Sequence, residues 1–153
     1  MDNKYLFQYC QKLVIFNEDF DKILLAKRKG ENDYDGIFSF VGGKMEITDK
    51  NIVDGISREK SEEIGVQCKI KVFKNFSSNL EFLKKDGSHM ILPHYLCVFL
   101  GGNIILNEEY SEYKWISINE INSFEPKIET IKEIIEIFHK NIPYILNTDY
   151  FIC

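Results

Sequence analysis

The stretch SFVGGKMEITDKNIVDGISREKSEEIGV, residues 39–66, constrains the fold more than any other part of the chain. An apolar strand segment runs directly into Gly42-Gly43, where the backbone can turn sharply and other groups can come close. A polar loop then leads into a helix expected from about Lys50 to Ile64. Asp49, or Thr48 before it, is the expected N-cap, and Gly65 stands where a left-handed C-cap belongs. A strand, a tight bend and a helix in that order predict a sheet with helices packed on it.

That helix carries three glutamates, Glu59, Glu62 and Glu63. At 3.6 residues per turn, Glu62 lies about 300° around from Glu59 and Glu63 about 40°. The three carboxylates therefore share an arc of about 100°. Ile52, Val53, Ile56 and Ile64 hold the adjoining arc, which must face the sheet, so the glutamates are expected at the edge of the buried face. In a partly desolvated cleft such charges raise one another's pKa unless a divalent cation sits among them. Mg²⁺ takes oxygen ligands of this kind together with water and substrate phosphates. A solvated acidic helix explains the same residues, with Arg58 one turn before Glu62 offsetting some repulsion. The helix alone does not choose; the Gly-Gly loop feeding it favours a site.

The remaining elements complete a mixed sheet. YLFQYCQKLVIF and KILLAKR, separated by NEDFD, read as an antiparallel pair. VQCKIKVF, NLEFLKK and HMILPHYLCVFL read as strands, the last two joined through Asp86-Gly87-Ser88. Pro93 inside the third argues for an edge position or a bulge. NIILN reads as a short strand, YKWISI as another, and NEINSF as a brief helix. A longer amphipathic helix is expected over roughly Ile128 to Lys140, with Ile131, Ile134, Ile135 and Phe138 as its apolar stripe. The tail PYILNTDYFIC is apolar enough to dock. The layout is α/β (α+β), in a single domain spanning residues 1–153.

Composition narrows the partners. A hydrophobic fraction of 44% with 28% charged residues is that of a globular chain. A net charge of −5 gives no electrostatic case for a nucleic-acid duplex or an anionic membrane. A nucleotide bound here would need a cation to neutralise its phosphates. Cys10, Cys68, Cys97 and Cys153 form no CxxC pair, so neither a zinc knuckle nor a dithiol motif is suggested. No leader pattern and no spanning apolar run is visible, and a cytoplasmic, reduced location is expected.

The segment GGKMEITDKNIVDGISREKSEEIGV resembles the Nudix box of the Nudix (MutT-type) hydrolases. Gly43 matches the first residue of the box, and Arg58, Glu59, Glu62, Glu63, Gly65 and Val66 match its second half. ILLAKR and FSFVGGKME resemble the strand and loop leading into the box, and EYKWISINEI the strand and short helix near the C-terminal end of such domains. Three departures stand out. Asp49 replaces the first glutamate of the box, and eight residues rather than seven separate it from Arg58. Lys60 takes a usually apolar position, where its stem is expected to cover the core while the ammonium reaches water. The insertion resembles the coenzyme A pyrophosphatase branch, whose longer upstream signature KGENDYDGIFSFV does not show.

The resemblance implies an α/β/α sandwich with its box at about 43–66. It implies Mg²⁺ (or Mn²⁺)-dependent hydrolysis of the diphosphate linkage of a nucleoside di- or triphosphate or derivative, releasing a nucleoside monophosphate. It further implies that Glu59, Glu62, Glu63 and the Gly43 carbonyl hold the metal while Arg58 orients a carboxylate. A glutamate of the loop Asn107–Glu112, with Glu108, Glu109 and Glu112 as candidates, would act as base or extra ligand. Gly42, Gly43, Lys44 and Phe40 are candidates for binding substrate. Phe38, Tyr34 and Tyr95 could also stack on a base, though most aromatic residues fill the core. His89 and His94 read as packing or surface residues. A coenzyme A, nucleotide-sugar or dinucleotide pyrophosphatase stays open, as do a non-catalytic nucleotide-binding module and a homodimer.

Overall fold

The computed structural model describes residue 4 and residues 6–153. In it, β2 (Lys12–Phe16) carries four consecutive buried residues, Leu13, Val14, Ile15 and Phe16. Successive side chains of a strand point to opposite faces, so such a run requires cover on both sides. Leu13 and Ile15 join a core with Ile56 and Ile64 of α1 (Ile52–Ile64). Val14 and Phe16 join another with Ile131, Ile134, Ile135 and Phe138 of α2 (Ile131–Ile145). The sheet is thus sandwiched between two helices, the expected α/β/α architecture.

The sheet is mixed. β2 lies parallel to β6 (His89–Gly101) and meets β3 (Lys22–Arg28) at Phe16↔Ile23. β3 pairs with β4 (Phe38–Ser39) and, along its full length, with β7 (Tyr110–Ser117). On the far side, β6 pairs with β5 (Lys69–Leu83), which carries β8 (Phe151–Ile152). The tail therefore docks, as expected. Among the described residues no helix is long and apolar enough to cross a membrane.

Several boundaries differ from the sequence reading, each for a local reason. The first strand is two, β1 (Phe7–Tyr9) and β2, broken at Cys10-Gln11, where the bend at Gly42-Gly43 inserts. The Gln11 N–H donates to the Gly43 carbonyl at 2.9 Å. Pro93 is neither at an edge nor in a bulge; it lies in β6, a central strand. The Cys10 N–H donates to the Ile91 carbonyl, and residue 93 points the same way as residue 91. The missing Pro93 N–H therefore falls opposite the break between β1 and β2, where the neighbouring strand asks nothing of it. Residues 69–83 form one strand with a register shift between Val72 and Ser77. NIILN is not a strand: its backbone docks on the end of α1, the Ile105 N–H donating to the Ile64 carbonyl at 3.0 Å. NEINSF shortens to a 3-10 turn over Ile118–Glu120.

Candidate functional site

α1 starts two residues later than expected. Asn51, not Asp49 or Thr48, is its N-cap, its side chain accepting from the Asp54 N–H at 2.9 Å. Asp49 is released for another task. Arg58 Nε donates to Asp49 Oδ1 at 2.8 Å and Nη2 to Oδ2 at 2.9 Å, a two-pronged pair. The same guanidinium donates to the Lys44 carbonyl at 2.9 Å and to Glu59 Oε1 at 2.9 Å. Arg58 thus fastens the loop after Gly43 to the helix and fixes one of its glutamates. Hydrogen bonds from this guanidinium are the main reason the Asp49 carboxyl is held down to about 2.

The glutamates divide. Glu59 and Glu63 lie within the buried face of α1 rather than at its edge, 9% and 4% exposed, whereas Glu62 is exposed. Glu63 Oε2 accepts from the Gly42 N–H at 2.6 Å and from the Tyr110 hydroxyl at 3.0 Å. Glu59 packs on Gly43 so closely that a Cβ there would overlap its carboxylate. Gly42, at φ +124°, faces the Gln11 carbonyl with no room for a Cβ. Backbone and conformation therefore both require glycine at position 42, whereas a side chain at position 43 would have to displace the Glu59 carboxylate.

Burial sets the charge state. Desolvation is the main cause that pushes the Glu63 carboxyl up to about 8, and it raises Glu59 as well. Glu109 adds to both shifts. It sits on a loop held against the helix end, the Asn107 N–H donating to the Glu63 carbonyl at 3.3 Å and Asn107 Nδ2 to Glu109 Oε2 at 3.2 Å.

These groups line one side of a cleft of about 1310 Å³. Of the residues singled out from sequence, Gly42, Gly43, Lys44, Phe40, Glu59 and Glu63 line it, as does Tyr34. Glu62 stands outside, 3.3 Å from Arg58 Nη1. Glu112 lies in β7 and pairs with Lys27 at 3.4 Å, away from the cleft, whereas Glu109 lines it. Tyr95 is buried against Tyr9, and Phe38 packs edge-on to Phe124; neither reaches the cleft.

Lys60 departs from expectation more sharply. Its ammonium does not reach water: the residue is 1% exposed, and Nζ donates to the carbonyls of Gly65 at 3.2 Å and Cys68 at 2.8 Å. Carbonyls at a helix C-terminus are short of donors, and an ammonium there also suits the helix dipole.

Lys12, Arg28 and Tyr110 also line the cleft, though no sequence motif marks them. Lys12 Nζ donates to the Gly42 carbonyl at 3.2 Å and exerts a lowering pull on Glu63. Arg28 is paired with Glu31 and lines the cleft beside Tyr110. A cation opening the apolar run KLVIF was the available signal for Lys12; nothing local marks Tyr110.

The donor set fits a hard divalent cation: carboxylate oxygens, two of them desolvated and raised in pKa, facing a third acid and a carbonyl-lined bend. Among the described residues, no three acidic, histidine or cysteine side chains converge closely enough to hold an ion alone. Each carboxylate takes a partner from the chain itself, as repelling anions will.

Residues 10–137 match the NUDIX domain family. No curated protein matches the chain. Among solved structures, the chain is similar to the MutT protein of Methanosarcina mazei Go1, with TM-score 0.71 and 21% identity over 89% of this chain and 95% of that one. It is also similar to an Ap4A hydrolase of C. elegans, with TM-score 0.71 and 15% identity over 90% and 98%. A third is the NUDIX domain of Shewanella oneidensis NrtR, solved with ADP ribose, with TM-score 0.70 and 17% identity over 93% and 94%. At these identities the likeness is one of fold.

Proposed function

The chain belongs to the Nudix family of hydrolases, which act on phosphorus anhydrides, and on that premise we propose that it cleaves the diphosphate linkage of a nucleoside di- or triphosphate or derivative. Residues 1–153 work as one such domain and release a nucleoside monophosphate. The observation that carries this reading is the placement of Glu59 and Glu63 side by side on the buried face of α1, against Gly42-Gly43, within the cleft.

Glu59 and Glu63 would hold Mg²⁺ (or Mn²⁺), with the Gly43 carbonyl as a further oxygen donor; Glu62, outside the cleft beside Arg58, would join them only by leaving that pair. When bound, the ion neutralises the diphosphate and acts as a Lewis acid toward charge developing on oxygen. The chain's own residues do the rest. Arg58, held by Asp49, keeps Glu59 aimed at the bend. Lys12, Arg28 and Lys44 supply positive charge on the cleft wall for phosphate oxygens. Glu109, whose field reaches both helix glutamates, is assigned to accept the proton of the attacking water.

The test is formation of the nucleoside monophosphate (adenosine 3′,5′-bisphosphate in the case of coenzyme A), resolved by chromatography, from a panel of nucleoside triphosphates, dinucleotides, nucleotide sugars and coenzyme A in Mg²⁺, with Glu59→Gln and Glu62→Gln alongside. The wild type should turn over at least one compound, and Glu59→Gln should lose orders of magnitude in kcat. Absence of metal-dependent turnover across the panel would leave a nucleotide-binding module instead.

A further inference from the structure

His94 lies in the middle of β6, 4% exposed, where a packing role would ordinarily suffice. Its ring is held in one tautomer. Nδ1 lies 2.9 Å from the Leu92 carbonyl and 3.2 Å from the Ser78 carbonyl. Carbonyl oxygens only accept, so Nδ1 carries the hydrogen and Nε2 is a bare acceptor. Burial, with Lys12 nearby, lowers the ring to about 4, so it stays neutral at physiological pH.

No described side chain or backbone group donates to Nε2. Among the described residues, Gln11 Oε1 is the sole sealed side-chain polar atom without a partner, so Nε2 is not shut into the core. The period of two along β6 places Met90, Leu92 and His94 together on the cleft wall. Leu80 and Phe40 complete that wall, with the Phe40 ring edge-on to the imidazole at 5.8 Å. His94 is also the register partner of Lys12, whose ammonium is bound to the Gly42 carbonyl. An apolar stretch of wall carrying a fixed acceptor therefore stands one strand away from Lys12, assigned above to phosphate oxygens.

We propose that His94 is a specificity-determining residue: its Nε2 accepts a hydrogen bond from an exocyclic amino group of the substrate's base, which lies on the Phe40–Leu80–Leu92 wall. The assignment rests on the nucleotide reading above. A sugar hydroxyl could donate to the same atom, but apolar walls suit a heterocycle better than a ribose.

Matched pairs of nucleoside triphosphates test this, each pair differing only by one amino group: adenosine against purine riboside, guanosine against inosine, cytidine against its deaminated-position analogue bearing hydrogen. Wild type should favour the amino-bearing member of at least one pair by about tenfold in kcat/KM, the effect of one hydrogen bond, carried in KM rather than kcat. His94→Phe should bring that ratio to about one. His94→Gln, which can present a carbonyl at similar reach, should restore it in part. Turnover without discrimination in wild type, or discrimination that persists in His94→Phe, overturns the assignment alone. Absence of turnover of every triphosphate overturns it, and the hydrolase reading falls with it only when the dinucleotides, nucleotide sugars and coenzyme A are refused as well.

Discussion

Asp49 and Arg58 form a two-pronged ion pair across the loop that follows the glycine bend, Nε–Oδ1 at 2.8 Å and Nη2–Oδ2 at 2.9 Å. The aspartate stem is one methylene shorter than the glutamate of the related motif, and the loop carries one residue more; together they still close the pair. Arg58 reaches Glu59 through its third nitrogen, so Asp49 acts on the site through the orientation of Arg58. Asp49→Ala should lower kcat and weaken Mn²⁺ binding by about 10–100-fold, as loss of an orienting partner does. Turnover and Mn²⁺ titrations, with circular dichroism to confirm the fold, check this.

Glu109 and Glu112 separate two roles that share one acidic loop. Glu109 lines the cleft and raises both helix glutamates, while Glu112 answers Lys27 across β3 and β7. Glu109→Gln should reduce kcat by about 10²–10⁴-fold if it takes the water's proton. Glu112→Gln loses one exposed pair and should cost less than about 1 kcal/mol in stability, with kcat unchanged. Equal kinetics for the two variants would remove the assignment of Glu109 as base.

Gly42 is constrained by backbone on one side and conformation on the other. At φ +124° it would strain any L side chain, and a Cβ would run into the Gln11 carbonyl. Gly42→Ala should cost about 3 kcal/mol or more, from strain and overlap together. That corresponds to a drop of about 6–12 °C in Tm for a chain of this size. Gly87 also has positive φ, at +86°, but opens on empty space, so Gly87→Ala should cost only about 1–2 kcal/mol. The difference between the two measures the close packing, with backbone strain as the common background.

The sandwich was readable from sequence because periodicity records burial: the apolar stripe of α2 and the unbroken run Leu13–Phe16 each dictate what must cover them. Where the reading failed, a long-range partner overrode a local signal. Pro93 reads as an edge residue until the break between β1 and β2 is placed beside it. Lys60 reads as snorkelling until the carbonyls of Gly65 and Cys68 close over it. Helical spacing put three glutamates on one arc, yet it could not show that Glu59 and Glu63 turn inward while Glu62 faces water. That division depends on how the Gly42-Gly43 bend folds back onto the helix and on Tyr110, far along the chain, neither of which helical spacing records. The tautomer of His94 was likewise invisible, since it is set by the Ser78 and Leu92 carbonyls.

The raised Glu63 carboxyl makes metal binding and stability depend on pH in a defined direction. In the metal-free fold it titrates near 8 against an ordinary 4.5, so folding takes up a proton between those values. Its contribution is complete below 4.5 and is lost as pH rises through 8. His94 acts oppositely, lowered from 6.5 to about 4, so its contribution is lost as pH falls from 6.5 through 4. The two slopes largely cancel from 4.5 to 6.5, and above 6.5 the Glu63 slope stands alone. Metal-free protein should therefore lose about 2 kcal/mol between pH 6.5 and 8, about 4–8 °C in Tm. Saturating Mg²⁺ or Mn²⁺ requires an ionised carboxylate and should abolish the decline, with release of up to about one proton near pH 7. Calorimetric Mn²⁺ titrations in buffers of different ionisation enthalpy read that proton directly. Glu63→Gln should flatten the pH profile of the metal-free protein and release no proton on titration. A wild-type titration that also releases none would show that Glu63 keeps its proton and takes no part in holding the ion.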